Sequence, residues 1–236
     1  MTKNTKPFFA FFLFLFAISF FCFGQDEYDT VVVQDLESWN SATFELKLNK
    51  KFNLQFSEEL RLQENSSKIE RFFSELKLNY KLHKNFQLGL GYRFFTENKR
   101  SGYQNGHRWN IDTKYKFDIE RFNGYARLRY QSAKEFNSDD NPENHLRMKV
   151  KLKYDIKNWK IDPYISAELF GLTGKEACNQ FDKMRFTTGS SYKFNKMHSV
   201  SFFYGIEKEL NTNYPKTIFL IGLGYKFTFK LSTNEK

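Results

Sequence analysis

The stretch that decides the fold is LRMKVKLKY at residues 146–154, in which apolar and basic side chains alternate without a break. A period of two is the signature of a β-strand, because successive side chains of a strand point to opposite faces. A helix would bring apolar side chains back at every third or fourth position, and this stretch does not do so. It is therefore predicted to be a strand with one apolar face and one basic face.

The same alternation recurs along the chain and predicts eleven strands from residue 41 onward. The alternating segments are residues 44–49, 52–62, 75–82, 86–94, 108–117, 126–130, 146–154, 161–169, 184–194, 200–207 and 219–230. Most of them exceed the usual strand of a soluble protein, which has about 5–6 residues. A tilted strand that crosses a membrane needs about 9–11 residues. We therefore expect an all-β fold, an antiparallel transmembrane β-barrel.

The connections between these segments are predicted to be of two kinds that alternate along the chain. Short polar turns are expected at residues 49–51, 83–85, 118–121, 157–160 and 195–198. Longer polar loops are expected at residues 97–106, 132–144, 171–182 and 209–216, with a shorter one at 65–68. In outer-membrane barrels short turns face the periplasm and longer loops face the outside. The chain is expected to follow that arrangement.

The strand count is expected to be even, as in most single-chain bacterial barrels. Eleven strands would leave the first one starting at the outer rim, so a further strand is predicted within residues 28–36, around Val31-Val32-Val33. The expectation is thus a barrel of about twelve strands. About ten strands is the fallback if the N-terminal segment lies elsewhere.

The composition combines many aromatic with many charged residues. Of the 236 residues 19% are aromatic and 27% are charged, and the mean hydropathy is −0.65. A membrane barrel accommodates this mixture because one of its faces contacts lipid and the other contacts water. The net charge of +10 is spread along the chain rather than clustered, so nucleic acid is not expected as a partner.

The N-terminus has the three parts of a secretory signal peptide. Lys3 and Lys6 precede an apolar run at residues 8–21, and small residues at Cys22 and Gly24 then form a cleavage site. The apolar run is shorter than the roughly 20 residues of a spanning helix.

The expected organisation is a cleaved signal peptide at residues 1–24 followed by one outer-membrane barrel domain at residues 25–236. Phe20-Phe21 before Cys22 departs from a lipidation motif, so no lipid anchor is expected. Cleavage leaves Cys178 as the single cysteine, and one cysteine cannot form an intramolecular disulfide.

Four short motifs resemble a known family. They are DLESW at residues 35–39, LKLNKKF at 46–52, EELRL at 58–62 and GLGYKF at 222–227. Together they resemble the domain-of-unknown-function-2490 family of outer-membrane barrels, over roughly residues 35–231. The resemblance implies a barrel in the outer membrane of a Gram-negative bacterium and implies no catalytic residues. The expected partners are outer-membrane lipid and the barrel assembly machinery, with no cofactor.

The inward faces of the predicted strands carry a row of basic residues with acidic residues among them. The basic row is Arg108, Lys114, Arg127, Arg129, Arg147, Lys149, Lys151 and Arg185. The acidic candidates are Glu45, Glu59, Glu75, Glu168 and Glu207. Rings of Arg and Lys select anions, so one hypothesis is a narrow porin-like channel for small anionic solutes. The other is an internal ion-pair network that closes the lumen of a medium-sized barrel.

Two other classes of function remain as alternatives. An outer-membrane hydrolase of lipid or lipopolysaccharide would need a nucleophile and a base on one face. His198 and Ser199 are adjacent and so point to opposite faces of a strand, and no catalytic residue is assigned. A soluble periplasmic sandwich or lipocalin-like binder is the third hypothesis. The acidic loop at residues 139–143 contains oxygen ligands of the kind that calcium binds, but no metal site is expected.

Three tryptophans and one glutamate bear on the outer surface. Trp39, Trp109 and Trp159 are predicted to lie in interfacial aromatic girdles. Strict alternation places Glu58 on the apolar face. Either it lies in the headgroup region, or a β-bulge at residues 57–59 turns it inward.

Overall fold

The computed structural model describes residues 33–173 and 181–231, which form eleven β-strands joined by turns and loops. The strands are β1 (Val33–Lys47), β2 (Phe52–Gln63), β3 (Lys68–Lys81), β4 (Phe86–Lys99), β5 (Gly102–Ile119), β6 (Phe122–Glu135), β7 (Glu143–Tyr154), β8 (Ile161–Leu172), β9 (Phe181–Lys193), β10 (His198–Glu209) and β11 (Lys216–Lys230). In this part of the chain no helix is long and apolar enough to cross a membrane. The all-β prediction is confirmed. The predicted signal peptide and Cys178 lie outside the described residues.

The strands form one closed barrel in which each strand pairs antiparallel with the next. The exception is the closing pair, where β1 and β11 run parallel from Val33–Lys216 to Lys47–Lys230. When consecutive strands alternate in direction, an odd number leaves the first and last strands pointing the same way. The closing pair of an eleven-stranded barrel must therefore be parallel.

The predicted count of twelve strands, with ten as the fallback, is not confirmed, because the eleven described strands already close the barrel. Residues 33–36 were predicted to belong to an additional strand, and they instead begin β1. Residues 28–32 of that predicted strand lie outside the described part of the chain.

Polar side chains fill the inside of the barrel and apolar side chains cover its outside. Asp112 and Glu168 are each 2% exposed, whereas Phe56 is 44%, Phe202 54% and Leu90 57% exposed. A soluble protein has the reverse arrangement, with apolar residues in its core. The outer surface of this barrel is therefore predominantly apolar, of the kind that contacts lipid or another protein.

The two ends of the barrel differ in their connections. The turn rim consists of residues 48–51, 82–85, 120–121, 155–160 and 194–197. The loop rim consists of the connections at residues 64–67, 100–101, 136–142 and 210–215, together with Thr173 at the end of β8.

The predicted long loop at residues 97–106 is wrong, because β4 continues to Lys99 and β5 begins at Gly102. Polar side chains continue to pair across the strands there, and Arg71 donates a hydrogen bond to Glu97. Gly102 has a φ of 103°, a backbone conformation that glycine adopts without strain.

An apolar wedge occupies the side of the lumen where β10, β11 and β1 meet. It consists of Trp39, Phe203, Ile218 and Leu220. The ring of Phe203 covers Gly222, where a Cβ atom would lie only 2.0 Å from the ring. A side chain larger than hydrogen therefore has no room at residue 222. Charged side chains border the wedge, and the guanidinium groups of Arg61 and Arg185 lie over the Trp39 ring.

The parallel closure can be tested with a disulfide between Ser41→Cys and Gly224→Cys, in a chain whose Cys22 and Cys178 are replaced by serine. These two positions are register partners. A Cβ atom on Gly224 would lie 3.2 Å from the Ser41 Oγ. We expect the pair to cross-link on mild oxidation, read as a mobility change in non-reducing electrophoresis.

The matched control is Ser41→Cys with Lys226→Cys, displaced by two residues on the same face, and it should cross-link far less. If a further strand lay between β1 and β11, positions 41 and 224 would be about 9.6 Å apart, which is twice the strand spacing. The first pair would then fail to cross-link, because a disulfide needs Cα atoms within about 7 Å of each other.

Candidate functional site

A basic wall is formed by the inward side chains of β5, β6 and β7. Its members are Lys114, Arg127, Arg129, Arg147, Lys149 and Lys151. Lys114 lies directly opposite Arg127, which in turn lies opposite Lys149. The period-two pattern of three neighbouring strands thus brings six cations onto one surface of the lumen. The two remaining predicted basic residues, Arg108 and Arg185, lie beside the wall on β5 and β9.

Glu168 is the carboxylate on which most of the wall converges. It lies on β8 opposite both Lys149 and Arg185. Its oxygens are 2.6 Å from Arg127 Nη2, 2.7 Å from Arg147 Nη2 and 3.4 Å from Lys149 Nζ. Arg185 Nη1 lies 3.8 Å away. One buried negative charge therefore faces four positive charges.

Asp112 is the second carboxylate next to the wall. Arg129 donates two parallel hydrogen bonds to it, 2.6 Å from Nε and 2.9 Å from Nη2. The ammonium group of Lys77 binds the same carboxylate. Paired arginine–carboxylate hydrogen bonds are strong and directional, so Asp112 holds Arg129 in place and has no capacity for a further cation.

Two further carboxylates bind arginines that flank the wall. Glu75 lies 2.7 Å from Arg93 and 3.4 Å from Arg108. Glu207 binds Arg185 through a close contact and also lies 2.9 Å from Lys183. These pairs extend the network around the barrel but do not reach the wall itself.

Lys114 and Lys151 differ from the rest of the basic wall because neither forms an ion pair with a carboxylate of the described residues. Each instead lies over the face of a tyrosine. Lys151 Nζ is 3.3 Å from the ring centroid of Tyr164, and Lys114 Nζ is 4.8 Å from that of Tyr125. A cation over an aromatic face is stabilised by the ring, but its charge is not neutralised.

The two remaining predicted acidic residues also point inward and bind cations. Glu45 contacts Lys226 and accepts a hydrogen bond of 3.2 Å from the Thr228 hydroxyl. Glu59 lies 2.7 Å from Arg61. All five predicted acidic residues therefore take part in lumenal ion pairs.

The prediction that Trp39 lies in an interfacial girdle is wrong. Trp39 faces the lumen, is 8% exposed, and has the guanidinium of Arg61 3.6 Å above its ring. β1 pairs without a register shift from Val33 to Lys47, so the outward position of Phe44 places residue 39 inside. Trp109 and Trp159 do lie on the outside, and they are 38% and 64% exposed.

Two cavities enter the lumen from opposite rims. The larger one, here called the vestibule, has a volume of about 1130 Å³ and reaches loop residues such as Ser138 and Asn211. Its floor contains Arg127, Lys149 and Glu168. The smaller one, of about 240 Å³, lies at the turn rim and is lined by several lysines.

The two cavities share no lining residue, and a plug of side chains lies between them. The plug consists of Lys77, Asp112, Lys114, Tyr125, Lys151 and Tyr164, which line neither cavity. The lumen is thus a deep, charged vestibule above a plug rather than an open pore. Half of the side chains in the plug carry positive charge.

A bulge at residues 57–59, one of the two alternatives considered for Glu58, is not observed. The register of β2 and β3 shifts between Arg61 and Leu62 instead. Glu58 stays on the outer face, where the hydroxyl of Ser74 on the neighbouring strand lies 2.8 Å from both carboxylate oxygens. A neighbouring strand therefore partly satisfies this carboxylate within the apolar surface.

Of the four histidines in the described residues, His107, His145 and His198 contact phenols or carboxylates, and His83 Nδ1 accepts a hydrogen bond of 3.5 Å from the Asn85 backbone N–H. His198 Nδ1 lies 2.6 Å from the Tyr225 hydroxyl, and His145 Nε2 lies 3.6 Å from Asp182. No serine hydroxyl is hydrogen-bonded to a histidine in residues 33–173 and 181–231. The same residues contain no group of three or more His, Cys, Asp and Glu placed to hold a metal ion.

The model of the family described as "Protein of unknown function (DUF2490)" matches residues 36–217. The chain belongs to the DUF2490 family. The match covers well over half of the chain, from β1 to the start of β11, and confirms the resemblance seen in the sequence motifs. No curated protein matches the chain significantly.

Several functional side chains of this DUF2490 protein were not singled out in the sequence. Lys77 alternates in phase with Glu75, which indicates an inward position, but its pairing with Asp112 depends on two strand registers. Asn110 is fully buried, and both atoms of its side-chain amide lack a partner. Gly91 leaves room for this amide, since a Cβ there would lie 2.6 Å from Asn110 Nδ2. In the sequence, Gly89 and Gly91 at successive inward positions could have indicated that large inward side chains of neighbouring strands need room there.

Glu168→Gln should strongly destabilise the DUF2490 barrel, because the substitution leaves four cations without their common carboxylate. Removal of one partner of a buried ion pair costs about 3–5 kcal/mol. The measurement is the free energy of unfolding in urea, with the refolded barrel in detergent. Glu120→Gln in the turn rim removes the same charge from an exposed residue and should change stability by less than about 0.5 kcal/mol. Equal effects of the two substitutions would contradict the role assigned to Glu168.

Proposed function

We propose that this DUF2490 protein is an outer-membrane barrel that admits small anionic solutes through its loop rim and passes them along the basic wall. The observation that carries the proposal is the excess of cations over carboxylates on that wall. Four of its six cations share two carboxylates, Asp112 and Glu168, which also bind Lys77 and Arg185, and the other two, Lys114 and Lys151, pair with no carboxylate of the described residues.

The membrane location is supported by the outer surface. Large apolar side chains lie on the outside of the strands, although Ser38, Asn40 and Glu58 interrupt them on β1 and β2, and the strands have 12–18 residues. Water would be an unfavourable surrounding for such a surface, and hydrocarbon a favourable one. Trp159 in a turn and Trp109 near the opposite end are placed as aromatic residues are at the two interfaces of a bilayer.

The choice of anions is supported by how charge is distributed with depth. Near the loop rim, basic and acidic side chains of the vestibule are mixed, as in the pairs Arg71–Glu97 and Lys99–Glu135. At the floor, Arg127, Arg147 and Lys149 meet one carboxylate. A solute that moves inward therefore leaves a nearly balanced entrance and meets a positive surface. Electrostatic attraction there is strong because low-dielectric walls surround it.

The plug restricts the size of what can pass. Asp112 clamps Lys77 and Arg129 directly below the vestibule, so passage requires these side chains to move. A narrow path with small conductance is the form of transport that fits this arrangement.

Planar-bilayer recording on the refolded chain tests the proposal. In a potassium chloride gradient we expect a small steady current whose reversal potential lies toward that of chloride. Arg127→Ala with Arg147→Ala should shift the reversal potential toward zero, because two positive charges leave the vestibule floor. Lys84→Ala with Lys157→Ala removes two exposed charges from turns and should not change the selectivity.

Cation selectivity, or equal selectivity of wild type and the double arginine variant, would contradict the anion path. A folded and inserted barrel without current would also contradict the anion path and would favour a lumen that is closed by its ion pairs. Lipid-hydrolysis assays would then be the next step. Circular dichroism of both variants verifies that they fold.

The proposed location has its own test, which concerns residues outside the described part. In a Gram-negative host we expect the mature chain to begin at Gln25 and to resist carbonate extraction from the outer-membrane fraction. Mass spectrometry of the N-terminus and membrane fractionation measure these outcomes. A chain that keeps residues 1–24, or one released by carbonate, would contradict the proposal.

A further inference from the structure

We propose that the plug contains a binding site for one small oxyanion, such as phosphate, between Lys114 and Lys151. A bound anion would supply the negative charge that no carboxylate of the described residues provides to Lys114 and Lys151. Its biological role rests on the proposed function, because an anion in transit would occupy it. Binding itself can be measured in a barrel that does not conduct.

The first argument is the charge of the surroundings. Asp112 is the carboxylate of the plug, and its oxygens already bind Arg129 and Lys77. Glu168, the carboxylate above the plug, has more cations around it than it can neutralise. No carboxylate of residues 33–173 and 181–231 is left to pair with Lys114 and Lys151. Lys114 and Lys151 are partly buried, so water screens their charges incompletely, and a bound anion would neutralise them.

The second argument is geometry. Lys114 on β5 and Lys151 on β7 lie on either side of β6, whose Tyr125 is the register partner of Lys151 and has Lys114 over its ring. Adjacent strands are about 4.8 Å apart and the two lysines are displaced by two residues along the strands, so their backbones are separated by about 12 Å. Lysine side chains are long and flexible, so both ammonium groups can contact one tetrahedral anion across that distance.

The third argument is a set of hydrogen-bond donors without acceptors. The Nε of Arg127 is buried and has no partner, and this residue lies opposite Lys114. The hydroxyls of Tyr125 and Tyr164 donate to no residue of the described chain. Ammonium, guanidinium and phenol groups are all donors, and together they fit the several oxygens of an oxyanion.

The ligand class follows from these donors. The plug adjoins the vestibule floor, where Arg127 and Lys149 are exposed to the cavity, so an anion would arrive from the loop rim. Phosphate and sulfate have four oxygens that can satisfy separated donors, whereas chloride offers a single centre. We expect phosphate and sulfate to bind and chloride to compete weakly.

Isothermal titration of inorganic phosphate into the refolded full-length mature chain, in a zwitterionic detergent, is the direct experiment. Wild type should bind one phosphate per chain. Lys114→Met with Lys151→Met should bind at least tenfold more weakly, because both ammonium groups are lost. The matched control, Lys84→Met with Lys157→Met, removes two exposed lysines and should bind as wild type does.

Thermal unfolding gives a second readout that a merely structural role of the lysines would not produce. Phosphate should raise the unfolding temperature of wild type and of the control, and it should leave that of the Lys114/Lys151 variant unchanged. Without phosphate this variant should be at least as stable as wild type, because methionine removes two partly buried charges that no carboxylate of the described residues neutralises. No binding by wild type, or equal binding by wild type and the Lys114/Lys151 variant, would overturn the proposal.

The outcomes separate this site from the proposed function. Phosphate binding by a barrel that carries no current would support the oxyanion site and contradict the proposed transport of anions. Anion-selective current from a barrel that binds no phosphate would support the transport of anions and contradict the oxyanion site.

Discussion

The structure depends on one constraint, which is that every strand must keep its charged side chains inside a closed barrel. A slip of one residue in any strand pair would turn its whole set of side chains to the opposite face. On β7, such a slip would move Lys149 and Lys151 to the apolar outside and bring Met148 and Val150 into the lumen. That exchange is costly on both faces, because apolar side chains would enter the charged lumen and charged side chains would lie on the apolar outer surface. The alternation therefore specifies the register as well as the strands.

Closure then determines which charges meet. Lys77 on β3 and Arg129 on β6 are far apart in the chain, and both reach Asp112 because β4 and β5 lie between them in a curved sheet. The apolar wedge around Trp39 and Leu220 fills the opposite side of the lumen. Arg61 and Arg185 contact Trp39 there, whereas Lys114 and Lys151, which pair with no carboxylate of the described residues, lie on β5 and β7. The packing of side chains in the lumen thus determines both the shape of the lumen and the positions of its charges.

Much of this architecture could be predicted from single-strand patterns, because a period of two is a local property. The eleven segments from residue 41 onward and the inward row from Arg108 to Arg185 follow from alternation alone. The parallel closure of β1 and β11 could not be predicted, because it depends on how the ends of the sheet meet. Trp39 was misplaced since its aromatic ring suggested an interface, although the phase set by Phe44 points it inward.

Ion-pair partners are the least predictable part of the candidate site. Sequence spacing shows that Glu168 and Lys149 face inward, but only the register places them opposite each other. The hairpin at residues 97–106 was read as a loop for a related reason. Beyond the apolar layer both faces of a strand are polar, so alternation in hydrophobicity disappears while the backbone pairing continues.

The two readings of the lumen, a closed ion-pair network and an anion path, are distinguished by the ratio of charges rather than by the presence of ion pairs. A network that seals a lumen is stable when its cations and carboxylates balance, since each buried charge then has a partner. Around Asp112 and Glu168 the described cations outnumber the carboxylates, and Lys114 and Lys151 have only tyrosine faces beside them. Ion pairs hold the wall in shape, and in the proposed function the cations that they leave without a carboxylate attract anions. The proposed anion path and the proposed oxyanion site both rest on this excess of cations.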